Sequence, residues 1–178
     1  MRGGEVLCTS KSVFNISTDL ARKDVKFGNT NVFGKETGFV QLRIKNAKAN
    51  KSGKPELVDI YESNSDTCPV KALKKFWNAT KSASDDWPLF CDTKGSPFTM
   101  RELNKHLKVI LGPHLKGLGV ISCHSLRSGL VSMLAKQGHS EETLKQIGRW
   151  SSRAFMAYVK LGKTNRVQIA KIYRNLEQ

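Results

Sequence analysis

The sequence lacks several patterns that would place it in a common protein class. Its cysteines form no Cys-x-x-Cys pair and have no matching histidine spacing, so neither a zinc site nor a disulfide framework is indicated. No apolar run approaches the roughly 18 residues of a membrane span, and no signal-peptide pattern opens the chain. Internal repeats and low-complexity tracts are also absent from the sequence. We therefore expect a soluble intracellular protein with free thiols, no metal site and no membrane association.

Acidic residues are scarce relative to basic ones. The chain has 30 Lys and Arg against 15 Asp and Glu, which gives a formal net charge of +15 and an isoelectric point near 9.9. A surface that only had to stay soluble would mix both signs and carry far less net charge. The imbalance predicts a polyanionic partner of the nucleic-acid kind. A length of 178 residues suits one domain with a real core, and we expect a single domain over residues 1–178.

The residue types best suited to phosphate chemistry gather between Cys123 and Lys160. His124 and Arg127 stand at positions i and i+3, so on a helix both side chains lie on one face, where they can bind a single anion. The same predicted helix has an apolar stripe, which comprises Leu126, Leu130, Val131, Met133 and Leu134. We expect this region to be the functional centre of the chain.

Two shorter helical segments follow the helix that contains His124. Gly138 occupies the position at which a helix usually ends, and Ser140 is suited to cap the next one. That second helix ends just before Arg149 and Trp150, and a third amphipathic segment ends at Tyr158. The residues of the third segment that can pack against a core are Ala154, Phe155 and Ala157.

These motifs carry a family resemblance. The order His-Ser-Leu-Arg, then Gly-Arg-Trp-Ser-Ser, then a tyrosine eight residues after the tryptophan resembles the C-terminal half of a tyrosine recombinase catalytic domain of the phage-integrase type. The tighter form Gly-Arg-Trp-Ser-Ser-Arg-Ala-Phe before Tyr158 is most similar to recombinases of Crypton-type mobile elements. The resemblance implies an α+β fold that is mainly helical, with a small three-stranded antiparallel sheet. It also implies an enzyme that breaks and rejoins DNA strands.

One position departs from the family pattern. Most members have a His or Trp nine residues before the nucleophilic tyrosine, and Arg149 stands at that distance from Tyr158. A one-residue deletion would align Trp150 with the family position instead, whereas no deletion aligns Arg149. The indole N–H favours Trp150, because it is a hydrogen-bond donor of the kind that the position uses.

The start of the chain contributes a second arginine to the resemblance. The run from Arg2 to Leu7 is similar to the Arg-x-x-Glu-Leu-Leu helix that carries the first catalytic arginine of the family, which makes Arg2 the expected partner of Arg127. The resemblance also implies that the chain is a fragment, since family members have a further helical N-terminal domain that binds the other side of the DNA.

Between residues 19 and 62 the pattern changes to strand-like alternation. Three antiparallel strands are predicted around residues 24–27, 38–45 and 56–61, and the last two are joined by a turn rich in Asn, Gly and Lys. In the family, a hairpin at this place carries a catalytic lysine, and the resemblance assigns that role to Lys48. Lys45 and Lys51 are the alternatives, and composition alone is equally compatible with a basic turn that only contacts phosphates.

Two further helices are predicted between the hairpin and the central region. Pro69 starts one of them at its first position, and Thr99 with Glu102 forms a capping box for the other. The apolar side of the first helix is expected in the core and comprises Val70, Leu73, Phe76 and Trp77. Residues 163–177 read as a basic amphipathic tail, which in family members docks on a neighbouring subunit.

The resemblance implies a mechanism with residues in defined roles. Tyr158 attacks the phosphodiester and forms a 3′-phosphotyrosyl bond, so that rejoining needs no cofactor, neither ATP nor a metal. Proton transfer involves His124 at the nucleophile and Lys48 at the departing 5′ oxygen. The expected role of Arg2 and Arg127 is to hold the non-bridging oxygens, on which negative charge gathers, because a guanidinium is permanently charged and donates in a fork. The wider DNA contacts are predicted at Lys45, Lys51, Arg149 and Arg153.

The implied partners are double-stranded DNA and further copies of the same chain, as a tetramer on DNA, in the nucleus if the host is a eukaryote. Two alternative functions remain. A type IB topoisomerase uses a similar residue set as a monomer, and a domesticated DNA-binding module would keep the fold without turnover. The Gly-Arg-Trp-Ser-Ser run favours the recombinase over the topoisomerase, and the full set of catalytic residue types argues against the inactive module.

Overall fold

The computed structural model describes residues 2–11, 14–46, 53–114, 121–150 and 152–159, and for Tyr158 it describes the backbone alone. Packing of the backbone divides the chain into two compact units. The N-terminal unit comprises residues 3–106, and the C-terminal unit comprises residues 107–178 together with residues 1–2. Within the described part, five α-helices and one antiparallel sheet make up an α+β structure, as the sequence predicts.

The sheet of the N-terminal unit has three antiparallel strands in the order β1-β2-β3, which confirms the predicted sheet. The strands are β1 (Val25–Val32), β2 (Lys35–Ile44) and β3 (Glu56–Tyr61). The side chains of β2 alternate between the core and the outer face, as expected from the alternating sequence. Val40, Leu42 and Ile44 are buried on the core face. β1 and β2 are longer than predicted and meet in a two-residue turn at Phe33 and Gly34.

Helix α2 (Pro69–Ala79) contributes to the core beneath the sheet. Its first residue is the predicted proline, whose missing N–H costs nothing at a helix start. Val70 is fully buried, and Trp77 packs against the same core and stacks edge-on against Phe27 with ring centroids 5.4 Å apart. The buried core residues of this unit are Leu20, Val25, Val40, Leu42, Ile44, Cys68, Val70 and Leu89.

The remaining elements of the N-terminal unit are short. Helix α1 spans Gly3–Val6, and a 3₁₀ helix spans Arg22–Asp24. Helix α3 (Met100–Leu111) begins in the N-terminal unit and ends in the C-terminal one, where a 3₁₀ turn at Gly112–His114 follows it. Its start confirms the predicted capping box, since the Thr99 N–H donates to Glu102 Oε2 at 2.8 Å and the Glu102 N–H donates to Thr99 Oγ1 at 3.2 Å.

The C-terminal unit is built from α4 (Cys123–Lys136), α5 (Glu141–Gly148) and a 3₁₀ helix at Arg153–Tyr158, here called the terminal helix. Gly138 adopts a φ of +84° just beyond α4, which confirms the predicted helix end. Ser140 accepts a hydrogen bond from the Thr143 N–H at 3.2 Å and caps α5 as predicted. The buried core of this unit consists of Val131, Leu144 and Phe155.

The predicted apolar stripe on α4 is only partly correct. Val131 is fully buried and Leu134 packs against the same cluster, but 52% of Leu126, 41% of Leu130 and 49% of Met133 are exposed. Leu126, Leu130 and Met133 follow one another at helical spacing, so they form a second face beside the buried one. None of the helices within the described residues is long and apolar enough to cross a membrane.

Candidate active site

The first turn of α4 carries the two residues that the sequence predicts to bind one anion. Ser125 Oγ accepts a hydrogen bond from the Ser122 N–H at 3.1 Å, which fixes the start of this helix. His124 is exposed and Arg127 is half-buried, one turn further along. The spacing of three residues places their Cβ atoms about 5–6 Å apart on the helix surface.

The C-terminus of α5 has an unusual capping residue. The Arg149 N–H donates to the Gln146 carbonyl at 3.1 Å and the Trp150 N–H donates to the Lys145 carbonyl at 3.0 Å, which is the hydrogen-bond pattern of a Schellman motif. The residue in the left-handed conformation of this motif is usually glycine, but here it is Arg149, with φ 52° and ψ 54°. The motif turns the chain sharply and directs Trp150 back toward the helix that precedes it.

Arg127 binds this same helix end. Its Nη2 donates to the carbonyl of Gly148 and, at 3.5 Å, to the carbonyl of Arg149. These carbonyls lie at the negative end of α5, where a cation is favourable. A guanidinium carries five N–H donors in one plane, so the two bonds orient the group while using only one of its nitrogens.

Trp150 supports the guanidinium from its face. The guanidinium carbon of Arg127 lies 4.2 Å from the centroid of the Trp150 ring, which is close enough for a cation–π interaction. The ring is held in turn by Phe155, whose centroid is 5.8 Å away, and it lies where a Cβ on Gly148 would be. Trp150 therefore positions Arg127, a role that sequence reasoning missed, because it considered only the indole N–H.

The terminal helix presents the predicted nucleophile segment. Ser152 Oγ accepts a hydrogen bond from the Ala154 N–H at 3.4 Å at the start of this helix, and Phe155 is fully buried in the core of the unit. Ala154 and Ala157 are exposed, so of the three residues predicted to pack only Phe155 does. Tyr158 is the last residue of the helix, and its role as the nucleophile stays a prediction.

Arg153 makes an ion pair that sequence reasoning did not predict. Its Nε donates to Glu141 Oε1 at 2.7 Å and its Nη2 donates to Glu141 Oε2 at 2.5 Å, which ties the terminal helix to the first turn of α5. Lys145 lies 3.4 Å from the same carboxylate. Hydrogen bonds from Arg153 and then Lys145 lower the pKa of Glu141 to about 2. A phosphate contact by Arg153 would compete with this pair and stays a prediction.

The other predicted site residues are spread over the chain. Arg2 belongs to the C-terminal unit, together with His124 and Arg127. Lys45 belongs to the N-terminal unit, where its Nζ lies 2.5 Å from Asp24 Oδ2 and donates to the Ile16 carbonyl at 2.6 Å. Only 9% of the Lys45 side chain is exposed, so a phosphate contact there would require the Asp24 pair to open. Lys48 and Lys51 lie outside the described residues.

Two residues of the site escaped sequence reasoning for different reasons. Gly148 is the last residue of α5 and has no positive φ, so the sequence marks it only as a helix end, yet the Trp150 ring requires its missing side chain. Glu141 lies in the first turn of α5, where an acidic residue is common, but its pairing with Arg153 across twelve residues depends on how the terminal helix packs.

Among the described residues, no group of three or more His, Cys, Asp or Glu is placed to hold a metal ion. No protein-family model, curated protein sequence or solved structure matches this chain.

Proposed function

We propose that this chain is the catalytic part of a tyrosine recombinase, which cuts and rejoins DNA through a 3′-phosphotyrosyl intermediate. The observation that carries the proposal is the fixed guanidinium of Arg127, which is stacked on Trp150 and bonded to the end of α5. His124 and the segment that ends at Tyr158 belong to the same family motif as Arg127, and they lie in the same compact unit.

A preorganised cation suits phosphoryl transfer. The transition state gathers negative charge on the two non-bridging oxygens, and a donor that is already oriented stabilises this charge without rearrangement. A lone surface arginine would lose side-chain freedom on binding, whereas the packing around Arg127 has already restricted it. The net charge of +15 favours a phosphate backbone as the partner.

The proposed reaction balances without any further reagent. The phenol oxygen of Tyr158 attacks the phosphorus, and the bond from phosphorus to the 5′ oxygen breaks. His124 assists removal of the phenol proton, and Lys48 supplies a proton to the departing 5′ oxygen. Attack by a 5′ hydroxyl on the phosphotyrosine reverses these steps and releases Tyr158. Arg127 and Arg2 stabilise the phosphate oxygens in both directions.

A nicked suicide duplex tests the proposal, because loss of the short fragment beyond the nick traps the covalent intermediate. Wild-type protein should give a DNA-linked band on a denaturing gel. Arg127→Lys keeps the charge but loses the planar fork, and we expect the band to form roughly a hundredfold more slowly, as for loss of one oxyanion donor. Lys136→Ala removes a cation from the exposed end of α4 and serves as the matched control, with a rate close to wild type.

The outcomes separate the proposed function from its alternatives. Joining of strands from two different duplexes supports the recombinase, and relaxation of a supercoiled plasmid by a monomer supports a type IB topoisomerase. Salt-sensitive binding without any DNA-linked band would contradict both enzymes and leave a DNA-binding module. A band that forms equally fast with Arg127→Lys would remove Arg127 from the site.

A further inference from the structure

The hairpin formed by β1 and β2 extends beyond the rest of the sheet. β3 pairs with β2 only from Phe39 to Ile44, whereas β1 continues to pair with β2 up to Val32 and Lys35. Residues 30–37 therefore form a two-stranded projection, here called the ribbon. Its three residue pairs correspond to a length of roughly 10 Å at the rise of a β-strand. Within the ribbon neither strand has a second neighbour in the described sheet, because β1 is an edge strand and the pairing of β3 with β2 reaches only to Phe39.

Phe33 forms the tip of the ribbon and is completely exposed, at 104% of its reference area. Both turn residues have positive φ, 51° for Phe33 and 80° for Gly34, as a type I′ turn requires. Asn is the preferred residue at the first of these positions, and a larger side chain in the left-handed region is strained. The turn would therefore be more stable with Asn at position 33. The exposed aromatic ring also adds nothing to the core, so the stability of the fold does not account for a phenylalanine at this position.

The ribbon holds this ring on a defined support. The Gly34 N–H donates to Asn31 Oδ1 at 2.7 Å, which closes the turn from one side. Thr37 Oγ1 donates to the Lys35 carbonyl at 3.2 Å behind the turn. These hydrogen bonds order the backbone that carries the ring. Binding therefore costs little backbone conformational entropy at the turn.

The surroundings of the ring indicate what kind of surface it fits. Thr30, Asn31, Lys35 and Glu36 are exposed around it, and Val32 is half-buried. A knob that enters a protein pocket usually has an apolar neighbourhood, because the core of such an interface is depleted of charge. A single aromatic ring with hydroxyl, amide and ammonium neighbours, beside a Glu36 carboxylate that accepts a hydrogen bond from Asn29 Nδ2 at 3.0 Å, instead matches a base stack, which has flat apolar faces and polar edges beside phosphates.

We propose that the ribbon enters a groove of duplex DNA and that Phe33 inserts between adjacent base pairs as a wedge. Two-stranded ribbons fit DNA grooves, and Phe is one of the side chains that unstack base steps in this way. The inference rests on the proposed function only in that DNA is the partner. It assigns Phe33 a role in deforming the DNA and no role in the chemical step.

Wedge insertion predicts a preference for DNA that is already weakened. Unstacking is cheapest at an unpaired base, so wild-type protein should bind a duplex with one extra unpaired adenine more tightly than the intact duplex. We expect a preference of roughly fivefold or more, the lower limit for a base stacked on an aromatic side chain. A 2-aminopurine beside the inserted ring should also brighten on binding, because it loses its stacking neighbour.

Phe33→Asn is the decisive variant, because it removes the ring and supplies the residue that the turn prefers. The variant should be at least as thermally stable as wild type, should bind the intact duplex to within about twofold, since phosphate contacts dominate affinity, and should lose the preference and the 2-aminopurine signal. Phe33→Leu should keep part of both effects, since Leu can also act as a wedge. Leu57→Thr, an exposed apolar residue on β3, is the matched control and should behave as wild type.

The results distinguish failure of the wedge from failure of the proposed function. Salt-sensitive duplex binding with an equal preference in wild type and Phe33→Asn overturns the wedge and leaves the recombinase proposal intact. A change in self-association of Phe33→Asn without any change in DNA binding also overturns the wedge and identifies a second copy as the occupant. Absence of duplex binding at low salt overturns both proposals.

Discussion

The guanidinium of Arg127 lies against the face of the Trp150 ring, 4.2 Å from its centroid, while its Nη2 donates to the carbonyls at the end of α5. One arginine thus joins α4 to α5 and, in the proposed function, binds the reacting phosphate. The two roles support each other, because the bonds that stabilise the unit also fix the plane of the guanidinium.

Substitution of Trp150 separates its two possible contributions. Trp150→Phe keeps a ring beneath Arg127 but removes the indole N–H, so we expect a loss of about 1 kcal/mol or less in the free energy of unfolding. If the N–H donates to the phosphate, formation of the DNA-linked species should slow roughly a hundredfold in this variant. Trp150→Ala should cost about 3 kcal/mol, toward the lower end for a large aromatic residue, because the ring is only half-buried. Cleavage at the wild-type rate by Trp150→Phe would leave Trp150 as a positioning residue and shift the donor role to Arg149.

Gly148→Ala should disturb the site through Trp150. A Cβ on Gly148 would overlap the Trp150 ring, so the ring must move and the stack with Arg127 must open. We expect a destabilisation of about 1–3 kcal/mol, the usual range for overpacking. Gly129→Ala is the matched control, since it lies in α4 with open space around it and should stabilise the protein by about 0.5–1 kcal/mol. Equal effects of the two substitutions on thermal unfolding would show that the Trp150 ring does not restrict position 148 to glycine.

Arg149→Gly tests the left-handed residue of the Schellman motif. Glycine adopts this conformation without strain, so the variant should gain about 1 kcal/mol in the free energy of unfolding. If Trp150 is the phosphate donor, the variant should still cleave DNA at a rate within a few fold of wild type. A large loss of cleavage in a more stable protein would assign the donor role to the Arg149 guanidinium.

The pair between Glu141 and Arg153 makes the stability of the C-terminal unit dependent on pH. The pKa of Glu141 is about 2 in the folded protein and 4.5 for an ordinary glutamate, so the folded state holds this carboxylate ionised. The contribution to stability is complete above pH 4.5 and is lost as the pH falls toward 2. An NMR titration of the Glu141 carboxyl should give a midpoint near 2.

Arg153→Ala should raise that midpoint toward 4.5, because the hydrogen bonds from Arg153 are the largest cause of the low pKa. Glu142→Gln is the control, since it removes the neighbouring carboxylate and leaves the pair with Arg153 in place. A Glu141 midpoint that is the same in wild type and in Arg153→Ala would show that the ion pair does not persist in solution.

Local signals predicted the ends of several elements correctly. Pro69, the Thr99–Glu102 box, Gly138 and Ser140 each act over three or four residues, so their effect can be read from the neighbouring sequence. The three strands followed from alternation in the same way. The turn at Phe33 was missed, because a phenylalanine in the left-handed region carries no turn signal.

The parts of the site that depend on packing could not be predicted. The sequence predicted that His124 and Arg127 lie on one face of a helix. The stacking of Arg127 on Trp150 could not be predicted, because it joins residues 23 positions apart. The pairing of Lys45 with Asp24 is likewise set by the sheet and the preceding 3₁₀ helix. Periodicity also could not tell which apolar face of α4 is buried, since Leu130 and Val131 point about 100° apart on the helix and only Val131 is covered.

The most direct test of the proposed function is to identify the residue that becomes attached to DNA. After reaction with the nicked suicide duplex and protease digestion, mass spectrometry should locate the nucleotide on the peptide that contains Tyr158. Tyr158→Phe should bind DNA normally and give no adduct, whereas Tyr61→Phe, which alters a half-exposed tyrosine on β3, should give the wild-type yield. An adduct that persists in Tyr158→Phe, or that maps to Tyr173, would contradict the assignment of Tyr158 as the nucleophile.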